Sequence, residues 1–280
     1  MSIIGILNQK GGVAKTTTAS ALGFGLAERG KKVLVVDLDA QCNLTTLLGL
    51  DPDTIENSVY EVMLKKTTVD KAICSTSYEN LDILPCVPDA TGLDLEIGGM
   101  FQREFIFTRA IEQVKNNYDY IVIDTPPALN TMTTNALIAC DYVIIPTDTA
   151  VFSMRGIEKL NETINVIRQV NTKLKTLGIL ITRNKSVTRM NKELSNVIET
   201  MAEKFHTSLF NVKIRDQVAV SESQLYQENL LGFMREIKKD KNKENAGTDY
   251  EKFVDEVLER IEMPAVNMRN CLMEETNNGK

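Results

Sequence analysis

Ile6-Leu7-Asn8-Gln9-Lys10-Gly11-Gly12-Val13-Ala14-Lys15-Thr16-Thr17-Thr18 joins a short apolar run, residues 3–7, to a stretch, 16–28, whose apolar residues recur at spacings of three and four. A strand therefore ends and a helix begins across a loop with two adjacent glycines, a lysine and a row of hydroxyls. Glycines let the backbone turn its N–H groups inward, and the positive end of the helix dipole lies just beyond. A chain of phosphates fits such a loop. Lys15 would then meet the β and γ phosphates and the Thr16 hydroxyl would ligate Mg²⁺, with Lys10, Gly11, Gly12, Val13, Ala14 and Thr17 completing the wrap. Taken alone, the stretch reads equally well as a glycine-rich turn entering a helix.

Working outward, further β-rich apolar runs occur at 33–37, 81–84, 120–124, 142–145, 177–181 and roughly 208–213, with helical periodicity at 104–114, 156–170, 190–204 and 248–261. Strands alternating with helices predict an α/β fold: a single doubly wound, mostly parallel sheet with helices on both faces. The chain has 280 residues, 43% of them hydrophobic, enough for one large domain. We expect that domain over 1–262, with a basic surface loop at 232–247 inside it and a poorly ordered tail over 263–280, which has few apolar residues. No run approaches the roughly 20 apolar residues of a membrane span, and the start lacks the features of a secretory signal, so no membrane association and a cytoplasmic location are expected. Five cysteines (Cys42, Cys74, Cys86, Cys140, Cys271) show no metal-binding spacing and read as reduced packing residues, as His206 reads as a surface or packing residue. With a formal net charge of −6, any nucleic-acid binding has to come from a local patch.

Two acidic motifs follow strands. Val33-Leu34-Val35-Val36-Asp37-Leu38-Asp39-Ala40-Gln41 and Tyr120-Ile121-Val122-Ile123-Asp124-Thr125-Pro126-Pro127 each place carboxylates at the carboxyl end of an apolar strand, where ligands bind in open α/β sheets. Singly, Asp39 could be no more than a helix N-cap, and an aspartate after a hydrophobic strand is common. Together with the glycine loop, and in this order, they point to a nucleotide fold.

Read jointly, the three motifs resemble the deviant Walker A class, whose KGGxGK[ST] signature is shared by ParA and Soj partition ATPases, MinD, the nitrogenase iron protein and the arsenite-pump ATPase. The match to ParA and Soj spans about residues 1–230 and the last helix, including Asn8-Gln9, Gln41, Asn43, Tyr118-Asp119-Tyr120, Asn135-Ala136-Leu137 and Val218-Ala219-Val220-Ser221-Glu222. The resemblance implies an ATPase using ATP and Mg²⁺. In it Lys10 reaches across a nucleotide-sandwich homodimer to the partner's phosphates, Asp39 positions the attacking water, and Asp37 and Asp124 serve the Mg²⁺ shell beside Thr16. It also implies non-specific DNA binding by the ATP-bound dimer, nucleoid association in that state, and hydrolysis stimulated by a ParB-like centromere-binding partner. Departures from the pattern are Ala14 for glycine, Ala40 for proline, and Arg215-Asp216-Gln217 where the family's Pro-Arg-Asn encloses the adenine; Arg215 and Gln217 are the residues standing at that nucleotide contact.

For DNA, Arg183, Lys185, Arg189 and Lys192 fall within ten residues free of acids, with Lys213 a further candidate. Such a run can also be a solvated face, and Ala219 stands where family members have an arginine. The basic stretch 235–243 is a second candidate patch. A first strand starting at residue 3 leaves no room for an operator-reading helix-turn-helix, so sequence-specific repression is not expected. A MinD-like membrane ATPase would need a basic amphipathic last helix, whereas this one carries Asp249, Glu251, Asp255, Glu256, Glu259 and Glu262. An iron protein would need cluster cysteines in contexts absent around Cys86 and Cys140. A P-loop small-molecule enzyme or regulatory ATP switch stays open as an alternative.

Overall fold

The computed structural model describes residues 1–148, 153–184, 189–204, 206–226, 229–237 and 244–262. Lys185, most of the basic stretch, the 263–280 tail with Cys271, and the side chains of Arg189 and Lys192 lie outside the described residues.

Eight strands form one sheet among these residues: β1 (Ser2–Ile6), β2 (Val33–Asp37), β3 (Cys74–Ser75), β4 (Leu81–Leu84), β5 (Tyr120–Asp124), β6 (Tyr142–Thr147), β7 (Lys175–Asn184) and β8 (Leu209–Arg215), in the order β3-β4-β2-β5-β1-β6-β7-β8. All neighbours are parallel except the β3–β4 pair at one edge. The interior strands β2 and β5 are buried at every position, which is why their sequences run apolar without alternation. Helices cover both faces, and two apolar cores lie on opposite sides of the sheet, one including Ile3, Ile121 and Ile179 and the other Ile4, Val122 and Leu180. Successive residues along one strand thus feed opposite cores.

The first helix, Lys15–Glu28, is buried along nearly its whole length. It lies between the sheet and the last helix, Ala246–Glu262, and glycines set how closely the layers approach. A Cβ on Gly23 would sit 2.5 Å from a Val35 methyl, and one on Gly25 2.5 Å from a Val254 methyl. The last helix starts at Asn245, which accepts from the Thr248 N–H (3.0 Å) while its own N–H donates to the Thr248 hydroxyl (2.8 Å).

The expected loop at 232–247 is shorter than the sequence suggested: Leu230–Glu236 is helical and Ala246 and Gly247 belong to the last helix. Its basic character misled, because Arg235 is ion-paired with Glu28 (2.9 Å) and Glu251 (2.6 Å) across three helices. Its charge is spent within the fold. The segment predicted as one helix over 104–114 is instead a 3-10 turn followed by the short helix Ile106–Ile111. No described helix is long and apolar enough to cross a membrane.

Candidate functional site

The strand register brings the three motifs together. Ile6, the last residue of β1, pairs with Asp124 at the end of β5, and Asp124 pairs in turn with Asp37 at the end of β2. The loop leaving β1 therefore rises beside the carboxylate-bearing end of β5, with that of β2 next beyond it. Its entry is pinned by Asn8, whose side-chain amide donates to the Pro146 carbonyl (2.7 Å) and whose Oδ1 accepts from the Lys10 N–H (3.0 Å). Gly12 has φ 73° and Ala14 φ 61°. The loop thus needs the left-handed conformation at the residue where the chain carries alanine, at a cost of about 1–2 kcal/mol. The Thr182 hydroxyl holds the Val13 carbonyl (3.1 Å), so β7 also fixes the loop.

At the helix start the Thr16 hydroxyl donates to Asp124 Oδ2 (2.6 Å), while Asp124 Oδ1 is buried without a hydrogen-bond partner. An orphaned carboxylate oxygen is costly in a protein interior. Burial, and then the neighbouring Asp37 charge, push the Asp124 carboxyl up to about 8. Lys15 is buried too, and desolvation lowers its pKa against the opposing pull of Asp124 and Asp39. Its ammonium donates to the Lys10 carbonyl (3.3 Å). Asp37 is satisfied internally: Oδ2 accepts from the Thr45 N–H (2.9 Å) and hydroxyl (2.8 Å), and Oδ1 from the Asp39 N–H (3.1 Å). Its carboxyl is raised above the ordinary range by burial. Asp37 thereby braces Asp39 and Thr45. Asp39 borders the cavity, its Oδ1 accepting from the Gln41 N–H (3.1 Å). Lys10 is clasped by Asp148, which follows β6, at 2.6 and 2.8 Å.

A cavity of about 580 Å³ opens from this loop. Gly11, Gly12, Ala14, Lys15, Thr16, Thr17 and Asp39 form one end; Ile214, Arg215, Asp216, Gln217, Val220 and Tyr250 form the other. Arg215 borders the cavity, but its guanidinium is held fork-to-fork by Asp249 (2.7 Å twice) and also by Glu244. Gln217 spends its carbonyl on the Ala246 N–H (2.7 Å). Arg183, grouped by sequence with a DNA patch, turns instead to the cavity, donating to the Gly12 carbonyl (3.0 Å) and lying 3.8 Å from Asp216. Lys213 is exposed on β8.

The site residues read from the motifs thus converge. The sequence reading missed Thr45, Asp148, Asp249 and Tyr250 as members of this neighbourhood, and read Asn8 only as part of a motif. The Asn8 position, four residues before the left-handed glycine, was the one available local signal. Four cysteines are free, three of them buried as packing residues, His206 is exposed, and no metal-binding cluster of His, Cys, Asp and Glu occurs among the described residues.

Comparison with known proteins agrees with this geometry. A family model described as an AAA domain matches residues 1–176. The sporulation initiation inhibitor protein Soj of Bacillus subtilis is 39% identical over 222 residues, 79% of this chain and 87% of its own. The chain belongs to the ParA/Soj family. The chromosome partitioning protein ParA of Myxococcus xanthus is 37% identical over 221 residues, covering 79% of this chain and 77% of that one. Among solved structures, cobyrinic acid a,c-diamide synthase from Mycobacterium smegmatis, with bound ADP and magnesium, superposes with a TM-score of 0.76 at 30% identity, covering 91% of this chain and 93% of that chain. This member of the ParA/Soj family is accordingly a ParA-like P-loop ATPase.

Proposed function

We propose that this ParA-like ATPase is a DNA-partition switch: ATP binding drives sandwich dimerisation and non-specific DNA binding, and hydrolysis stimulated by a ParB-like partner resets it. The observation carrying the ATPase part is the Thr16–Asp124 contact with Asp124 Oδ1 left buried and unpaired beside Lys15 at a helix N-terminus. The donor set, one hydroxyl and one carboxylate oxygen facing a phosphate loop, suits Mg²⁺, which keeps several waters and takes few carboxylates. Bound between these groups and the phosphates, Mg²⁺ would supply charge neutralisation for phosphoryl transfer. The chain's own residues do the rest. Loop N–H groups and Lys15 hold the β and γ phosphates, Asp39 orients the attacking water, and Asp37 keeps Asp39 in place while supporting the Mg²⁺ shell with Thr16 and Asp124.

Lys10 is the residue proposed to act on the partner's nucleotide, lending positive charge as an arginine finger does. In the single chain it is engaged by Asp148, so dimerisation would exchange an intramolecular carboxylate for the partner's phosphates. Arg183 is withdrawn from the proposed DNA surface on the strength of its contacts, and Lys213 is retained with Lys185, Arg189 and Lys192.

The test is DNA co-sedimentation with ATP, ADP or no nucleotide at two salt concentrations, comparing wild type with Lys10→Ala and Lys15→Ala. Salt-sensitive binding that requires ATP and both lysines is the expected result. Binding indifferent to nucleotide, or none at all, would leave an ATPase but end the partition reading.

A further inference from the structure

Arg183, the penultimate residue of β7, is in a left-handed conformation, φ 50°, which a long side chain adopts only where its surroundings hold it there. Its guanidinium extends to the Gly12 carbonyl at 3.0 Å, with Nε 3.8 Å from Asp216. Arg183 therefore spans from the phosphate loop to the opposite wall of the cavity, and both it and Asp216 line that cavity. Its side chain is 55% exposed, with a surface still available to be covered.

The pairing with Asp216 decides what it can cover. A phosphate placed there would meet a carboxylate as well as a guanidinium, whereas a neutral aromatic base lying on an ion-paired guanidinium meets no opposing charge. A planar guanidinium stacks well on an aromatic face. Lys15 and Thr16, moreover, already occupy the phosphate end. Resting on the reading of this cavity as an ATP site, we infer that Arg183 is a nucleotide-binding residue whose guanidinium, positioned by Asp216, forms the stacking wall for the purine base, and that it is not a DNA contact. This chain would then build with an ion pair from β7 and the end of β8 the base enclosure that its Arg215-Asp216-Gln217 stretch does not supply in the usual form.

The experiment measures dissociation constants of fluorescent ATP and ADP analogues, with thermal unfolding of each nucleotide-free variant as a folding control. Arg183→Ala should weaken ATP and ADP by the same factor, tenfold or more, because the base is common to both. Arg183→Lys should recover only part of the loss, since it restores charge without the plane. Asp216→Ala should weaken both nucleotides less than Arg183→Ala does, with Asp216→Glu restoring affinity and unfolding temperatures unmoved. Lys71→Ala, at an exposed position outside the cavity lining, should leave both constants unchanged. Affinities within twofold of wild type in Arg183→Ala, with or without a fall in DNA binding, would overturn the inference. Loss of binding confined to ATP would overturn it as well, assigning Arg183 to the γ phosphate. Lys15→Ala separates the two levels: if it too leaves affinity intact, the ATP-site reading itself has failed.

Discussion

The two ends of the cavity are built from different materials. At the phosphate end the working groups are backbone N–H groups, strand-end carboxylates and one lysine, contributed by segments adjacent in the sheet and fixed by register. At the other end the wall is made of side chains held by ion pairs, Arg215 with Asp249 of the last helix and Arg183 with Asp216 across the neighbouring strands β7 and β8. Backbone placed by a sheet tolerates little change, because moving it moves the strand. A wall of paired side chains can be rebuilt by exchanging partners.

If that division holds, substitutions at the two ends should fail differently. The largest expected effect is at Lys15: Lys15→Ala should lower ATP turnover by about two to three orders of magnitude, measured as phosphate release, while the unfolding temperature changes little. Asp124→Asn should also abolish Mg²⁺-dependent turnover, yet stabilise the nucleotide-free protein at neutral and alkaline pH. The sign follows from the raised carboxyl. Its folded pKa of about 8 exceeds the unfolded value of about 4, so its stabilising contribution is present at low pH and lost as pH rises between the two. Chemical denaturation from pH 5 to 9 should therefore show a shallower decline for Asp124→Asn than for wild type, and a parallel decline would refute the assignment.

At the opposite end, Asp249→Ala removes the buried partner of the Arg215 fork. It should cost about 2 kcal/mol of stability, read by denaturant melts, and weaken nucleotide binding while sparing turnover at saturating ATP. Loss of turnover at saturation would mean that the two ends are not separable. The smallest effect is at Ala14. Ala14→Gly relieves a left-handed Cβ but loosens the unfolded chain, so a net gain of about 0.5–1 kcal/mol is expected.

The same division explains what could be read from the sequence. The phosphate loop, Asp37, Asp39 and Asp124 were legible because each motif is local: its working residues stand at, or directly after, the end of their own apolar strand. The seven longer strands were legible from their apolar runs. The two-residue β3 was too short to leave a pattern. Contacts between distant segments carry no local signature, so Arg183 looked like one more cation in a basic run, and Arg235 like part of a solvated loop. The acids of the last helix looked like a polar face. Asp249 and Glu256 are in fact buried, the latter accepting from the Asn211 and Val212 N–H groups on the outer strand.

Tyr250 has a consequence for how the protein is made. Its hydroxyl lies 3.3 Å from the Thr18 hydroxyl, one turn into the helix that begins at Lys15, and its neighbour Asp249 anchors Arg215. The Ala246–Glu262 helix therefore ties the cavity wall at Arg215 to the first helix, and packs on that helix again at Gly25. On the ribosome, every residue of the phosphate loop emerges more than two hundred residues before that helix does. A nascent chain can therefore display the complete loop before the last helix has emerged to bring Tyr250 to the cavity lining.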